Sequence, residues 1–244
     1  MARELEIVGD QHDCAYLSGR TAQMTFRYAL ELPEQRYSAL LERGWRRFGR
    51  SLFRPICGGC RECQPLRICI NEFQPSKSQR RILARNQEIN LTIQSPRVTQ
   101  EYLDLYDRYH ADMNRRRNWP SREITADQYH ESFVEGNFGF SREFIYRLNG
   151  KLVGLGIVDI TQSAMSSIYF FYAPELRSLS LGTFSVLKEL EAGRQLKKAH
   201  LYMGYYIRDC GSMNYKNRFP PYQILENFVD DSKTPAWVTK TDAE

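Results

Sequence analysis

No stretch of this 244-residue chain approaches eighteen consecutive apolar residues, so the sequence offers no membrane-spanning helix. The segment Met1 to Gly9 lacks the apolar core of a secretory leader, and six cysteines are too few and too clustered to frame a secreted fold of this length. Neither an amphipathic lipid anchor nor a lipidation signal is present. Internal repeats and low-complexity tracts are absent as well. These absences argue against membrane and secreted classes and predict a soluble protein of a reducing compartment, the cytoplasm.

What is present is enough apolar material, 42% of residues, to bury a core in one large domain or two modest ones. Charge is unevenly spread. Between Glu42 and Arg97 stand twelve Lys or Arg against four Asp or Glu, an excess of eight that leaves the rest of a +5 chain at −3. Such asymmetry favours a polyanionic partner, nucleic acid before membrane.

Pattern along the chain predicts a mixed α/β fold. A strand is expected over 24–32, closed by Pro33, then a short helix from Gln35 to Leu41. Between Gly44 and Pro55, Trp45, Phe48 and Phe53 interleave with Arg46, Arg47, Arg50 and Arg54, which suits stacked bases and phosphates or an edge strand with wet arginines. Leu66, Ile68 and Ile70 alternate as in a half-buried strand, with Cys69 on the other side. Ser76 and Gln79 form a capping-box signature, and the helix it opens carries Lys77, Arg81 and Arg85 on one face beside Arg80. Thr99 opens another helix, with Tyr102, Leu105, Tyr106 and Tyr109 on its apolar face, and 111–121, with Arg115, Arg116 and Arg117, reads as a loop. Strands follow over 144–148, 152–159 and 165–172, the first two joined by an Asn149-Gly150 turn. Gly154 and Gly156 give the second a bare face open to a backbone or a ligand. A helix through Leu181, Phe184, Leu187 and Leu190 and a strand over 200–204 complete the pattern. A boundary near Arg97 divides a basic, cysteine-bearing unit, 1–97, from an α/β unit, 98–244.

Cys57, Cys60 and Cys63 recur at steps of three within RPICGGCRECQPLR, from Arg54 to Arg67. Thiolates suit zinc or an iron–sulfur cluster, each of which takes four such donors; Cys14 is the leading fourth candidate and Cys69 the second. Free thiols packed in a loop, or redox exchange through a Cys-x-x-Cys pair, are the alternatives. Cys210 reads as an isolated buried thiol.

Several blocks resemble one family: Asp13-Cys14-Ala15-Tyr16-Leu17, Phe53-Arg54-Pro55, Pro65-Leu66-Arg67, YFFYAPELRSLSLGTFSVLKELE from Tyr169 to Glu191, and LYMGYYIRDCGSMNYKNRFPPYQIL from Leu201 to Leu225. Together they are similar to the bacterial aspartate/glutamate leucyltransferases, relatives of the arginyl-tRNA–protein transferases. The resemblance implies transfer of leucine from leucyl-tRNA to the N-terminal Asp or Glu of a protein, marking it for the N-degron pathway. It also implies a GCN5-related acyltransferase-like C-terminal unit beside the smaller basic N-terminal one. Related N-terminal cysteines bind zinc or an iron–sulfur cluster, which implies Cys14, Cys57, Cys60 and Cys63 as metal ligands; Leu17 stands where eukaryotic arginyl relatives have a further cysteine.

An aminoacyl ester is already activated, so the transfer requires no cofactor, only a held ester, a neutral amine and stabilised carbonyl charge. Tyr205, Tyr206, Asp209 and Tyr215 are the expected catalytic residues, and Arg208, Lys216 and Arg218 the expected partners of the acceptor's carboxylate. Asp159, Glu175 and Asp209, or a backbone carbonyl aided by a tyrosine, are general-base candidates. Arg46, Arg47, Arg54, Lys77, Arg80, Arg81, Arg85, Arg177 and Gly182 are expected to meet tRNA, the last two at an anion-holding helix start. A coenzyme A dependent N-acyltransferase, an arginyl-transferring enzyme and a metal-stabilised RNA-binding protein are the rival readings.

Overall fold

The computed structural model describes residues 4–120 and 123–241. Strands in chain order are β1 (Glu4–Val8), β2 (His12–Asp13), β3 (Thr21–Ala22), β4 (Met24–Ala29), β5 (Arg46–Phe48), β6 (Ser51–Pro55), β7 (Gln64–Cys69), β8 (Ile89–Gln94), β9 (Ser141–Leu148), β10 (Lys151–Ile160), β11 (Ala164–Tyr172), β12 (His200–Tyr206), β13 (Tyr222–Leu225) and β14 (Trp237–Lys240). The α-helices are α1 (Glu34–Glu42), α2 (Lys77–Arg85), α3 (Gln100–Arg117), α4 (Ala126–Tyr129) and α5 (Leu181–Gln195), with tight 3-10 turns at Pro174–Leu179 and Asn214–Arg218.

Local chemistry sets several boundaries. Ser76 Oγ accepts from Gln79 N and Gln79 Oε1 from Ser76 N, so α2 starts with a complete capping box. The helix begun at Thr99 does not stop where a loop was expected. Asp112 pairs with Arg116 one turn on at 3.1 Å, and α3 runs to Arg117 before Asn118 ends it in the left-handed conformation.

The main sheet has eight strands in the order β14-β13-β7-β12-β11-β10-β9-β8. Every neighbouring pair is antiparallel except β11 and β12. Helices cover both faces. Tyr106 of α3 meets Phe171 on one face, ring centroids 5.4 Å apart, and Phe184 of α5 meets Tyr146 on the other at 5.9 Å. The bare face of Gly154 and Gly156 is taken by the chain itself, since a Cβ on Gly154 would stand 3.1 Å from the Phe170 ring.

A division at Arg97 does not follow the sheet. β7 lies between β13 and β12, and β8 pairs with β9, so residues before Arg97 supply two strands of the main sheet. The smaller cysteine-bearing unit is instead the four-stranded sheet β1-β4-β6-β5 with α1 and the β2-β3 hairpin. Arg47 fastens it to the main sheet: Nε and Nη2 donate to the two oxygens of Asp159 at 2.7 and 2.5 Å, and Tyr37 of α1 donates to the same carboxylate at 2.6 Å.

Candidate active site

β11 and β12 are paired only from Ala164 to Ser166 and from His200 to Tyr202. Just beyond, each strand carries an extra residue: Ile168 on β11 shifts its register against β10, and Met203 on β12 shifts it against β7. Parallel strands that part toward their carboxyl ends open a crevice and leave backbone groups to be satisfied otherwise.

Arg46 of β5 fills the root of that crevice. Its Nη1 donates to Ser166 Oγ at 2.7 Å and its Nη2 donates to the Ser167 carbonyl. The guanidinium passes over Gly204, where a Cβ would stand 3.0 Å from Arg46 Nε and where φ is +79°.

Glu189 of α5 approaches the same place from the opposite face. Side chains alternate along a strand, so Ser166 meets Arg46 while Ser167 hydrogen-bonds the Glu189 carboxyl. Glu189 is 1% exposed, and its Oε2 has no hydrogen-bond partner. Burial pushes its carboxyl up to about 8, against the opposing pull of Ser167 and Arg46.

The mouth of the crevice is aromatic and cationic. The rings of Tyr109 on α3 and Tyr172 at the end of β11 are 5.2 Å apart. Burial raises the Tyr109 hydroxyl, nearby Tyr172 and Tyr215 add to this, and Arg117 and Arg116 oppose it. Tyr215 links mouth and root: it adjoins Tyr109, and burial followed by the Glu189 charge pushes its hydroxyl up to about 12.

A band of cations skirts this mouth. Arg85 of α2 donates to the Ser178 carbonyl at 2.9 Å, and Arg177 grips Asp112 of α3 at 2.7 and 2.8 Å. Arg116 shares that carboxylate, the Arg115 side chain is 76% exposed, and Arg117 Nη1 is 3.9 Å from where a Cβ on Gly211 would stand. Lys77, Arg80 and Arg81 are exposed at the α2 end.

The cysteines gather behind β12. Burial pushes the Cys63 thiol up to about 12, with further raising from Cys57, Cys14, Cys60 and Cys210, so five thiols from three parts of the chain share one neighbourhood. Cys57 Sγ accepts from Gln23 N at 3.4 Å and Cys60 Sγ from Arg20 Nη1 at 3.7 Å. Cys57, Cys60, Cys63, Arg54, Arg61 and Phe228 line a cavity of about 350 Å³. Among the described residues, no group of three Cys, His, Asp or Glu side chains is set to hold an ion.

Two family models match: the N terminus of arginine-tRNA-protein transferase over residues 12–81 and its C terminus over residues 101–226. An aspartate/glutamate leucyltransferase of Helicobacter hepaticus is 35% identical over 235 residues, 96% of this chain and 98% of that one. The chain belongs to the aspartate/glutamate leucyltransferase family. Leucyltransferases of Campylobacter jejuni, 36% identical over 216 residues, and Halorhodospira halophila, 38% over 218, each cover 88% of the chain and 90% and 91% of their own lengths. Among solved structures, FemX aligns over 84% of this chain and 79% of its own at 9% identity and a TM-score of 0.45.

Within this leucyltransferase, an aminoacyltransferase by family, the residues expected to act fall into distinct places. Arg46 and Arg47 are buried anchors rather than the surface cations expected, because the crevice root and Asp159 claim their donors. Arg54 is half-buried between the Trp45 and Phe228 rings, at 4.7 and 5.5 Å, and donates to the Val229 carbonyl. Tyr205 is committed to the Gly44 and Phe53 carbonyls at 3.0 and 3.2 Å, and Tyr206 is buried beside Asn217. Lys216 is withdrawn from solvent: Nζ donates to the Tyr205 carbonyl at 2.6 Å, and burial, then Arg46, lowers it to about 7. Arg208, Asp209 and Arg218 are exposed, and Gly182 has open space above it. Of the base candidates, Asp159 is consumed by Arg47 and Tyr37, and Glu175 lies exposed against Arg108 at 3.1 Å. Sequence pattern did not mark Glu189, Tyr109, Tyr172 or the α3 arginines as functional; a lone acid in the α5 run SVLKEL, on a helix buried on several sides, was the available signal for Glu189.

Proposed function

We propose that this leucyltransferase seats leucyl-tRNA on the cation band running from α2 through Arg177 to Arg115, Arg116 and Arg117, and delivers its charged 3′ end to the mouth between β11 and β12. The observation that carries this is the convergence of that band on the parted strands. Exposed guanidiniums set along a surface suit phosphates bidentately. Open amides at the start of α5, where Ser180 makes no side-chain cap, add an anion-holding position beside Gly182. The parting of the parallel strands is also what supports reading the second half as acyltransferase-like.

The chemistry is aminolysis of an ester. The α-amine of an N-terminal Asp or Glu attacks the leucyl carbonyl, a C–N bond forms, the ester C–O bond breaks, and the proton shed by nitrogen ends on the released ribose oxygen. In this reading Arg208, exposed on the turn after β12, pairs with the acceptor's side-chain carboxylate. Tyr215 and Tyr109 offer hydroxyl donors at the mouth for the carbonyl oxygen. No helix of the described residues is long and apolar enough to cross a membrane.

By donor chemistry these thiols suit a soft metal, Cys57 and Cys60 having long contacts to Gln23 and Arg20, although among the described residues no three of them converge on one ion position. Cys14, Cys57, Cys60 and Cys63 would hold a zinc ion or an iron–sulfur cluster there. Bound, it would supply a cross-link between the small unit and β7.

The deciding experiment supplies labelled leucyl-tRNA, arginyl-tRNA or acyl-coenzyme A with peptides beginning Asp, Glu, Gln or Lys. Transfer of leucine to Asp and Glu peptides alone is expected. No transfer from charged tRNA would overturn the reading.

A further inference from the structure

A buried carboxyl with an unpartnered oxygen is costly, and the surroundings of Glu189 show what would relieve it. The groups facing it are Ser167 from β11, Arg46 from β5, Tyr146 from β9 and Tyr215 from the Asn214–Arg218 turn. Ser167 takes part of its hydrogen-bonding capacity, and Oε2 is left over at the point where β11 and β12 cease to pair. Arg46 does not fill that need, because its Nη1 and Nη2 are given to Ser166 and to the Ser167 carbonyl. On this face of the sheet the walls are apolar: Val186, one turn before Glu189 on α5, and Met165, two residues before Ser167 on β11, are both buried.

We propose that Glu189 forms the subsite for the α-ammonium of the leucyl group, its Oε2 pairing with that cation while the apolar walls take the isobutyl side chain. The inference rests on the leucyl-transfer reading and assigns the site to the donor, for two reasons. The acceptor's Asp or Glu carries its own carboxylate close to its α-amine, and a second buried carboxylate there would repel it. The acceptor amine must also be neutral to attack, whereas the donor amine is a spectator best held as ammonium. Held so, it cannot act as a competing nucleophile. Tyr215, close enough to both Tyr109 and Glu189 to interact electrostatically with each, flanks the route the leucyl group would take.

The subsite also implies a proton balance. Glu189 is largely protonated at neutral pH, burial being the main cause, and pairing with a cation ionises it, so its proton passes to the buffer. The test uses adenosine bearing leucine through a 3′-amide, compared with the same molecule carrying an α-hydroxyl in place of the α-amine. The wild-type enzyme is expected to bind the amine about 10- to 100-fold more tightly, as a charge-assisted hydrogen bond allows, and Glu189→Gln to bring the ratio near one.

Calorimetry of the wild type at pH 7 in two buffers of different ionisation heat gives a readout that needs no variant. Close to one proton released with the amine and none with the hydroxyl compound supports the subsite. Equal affinity for the two compounds, or a ratio unchanged in folded Glu189→Gln, would overturn it while leaving the transfer reading standing. Binding of neither compound would overturn the donor site itself, and with it this assignment.

Discussion

Arg47 and Asp159 form a two-bond ion pair with both side chains withdrawn from water, joining β5 of the small sheet to β10 of the main one. Such a pair is worth little against an apolar replacement but costs heavily when halved. Asp159→Asn leaves a buried guanidinium uncompensated and is expected to lower stability by about 3–5 kcal/mol, read by urea unfolding. A loss below about 1 kcal/mol would mean that water reaches the pair.

Gly204 is required twice, for its left-handed backbone and for the passage of Arg46. Gly204→Ala should cost about 1–3 kcal/mol from the backbone alone. Because the new methyl displaces Arg46 from Ser166, leucyl transfer should fall more than stability does. Activity retained in a destabilised but folded variant would show that the crevice root tolerates displacement.

Glu189 gives stability a definite pH slope. Its carboxyl is raised from 4.5 to about 8, so the folded state keeps a proton that the unfolded chain gives up. Stability contributed through this group therefore falls as pH rises between those values and levels off above them. Glu189→Gln should flatten that slope across the same window, seen as melting temperatures of wild type and variant that converge at one end of the range and separate at the other. Parallel curves would mean the carboxyl is ionised throughout.

Arg81 and Arg115 mark the two ends of the cation band and make no structural pair that burial enforces. Reversing both to Glu is expected to raise KM for leucyl-tRNA by about 10-fold or more with little change in kcat, and to lower the salt slope of tRNA binding by about one for each phosphate left unneutralised. An unchanged slope would place the tRNA elsewhere.

Much of the frame was legible because it rests on local rules. The Ser76–Gln79 box, the Asn149-Gly150 turn and the β10 and β11 strands follow from caps, turn residues and alternation. Long-range placement was not legible. Arg46 and Arg47 read as a basic surface because composition cannot show that Ser166 and Asp159, more than a hundred residues away, would claim their donors. Arg115, Arg116 and Arg117 read as loop because the stabilising Asp112 also serves Arg177 from another element. Cys210 read as solitary for the same reason, since only the turn after β12 brings it to Cys63.

The position of β7 also bears on how the chain is made. It is synthesised early, yet both of its neighbours, β12 and β13, come from the last quarter of the sequence. A nascent chain must therefore carry Leu66 and Ile68 with both edges of their strand unpaired until nearly the whole protein has left the ribosome. During that interval the strand is open to intermolecular pairing, and the adjacent thiols of Cys57, Cys60 and Cys63 are open to oxidation.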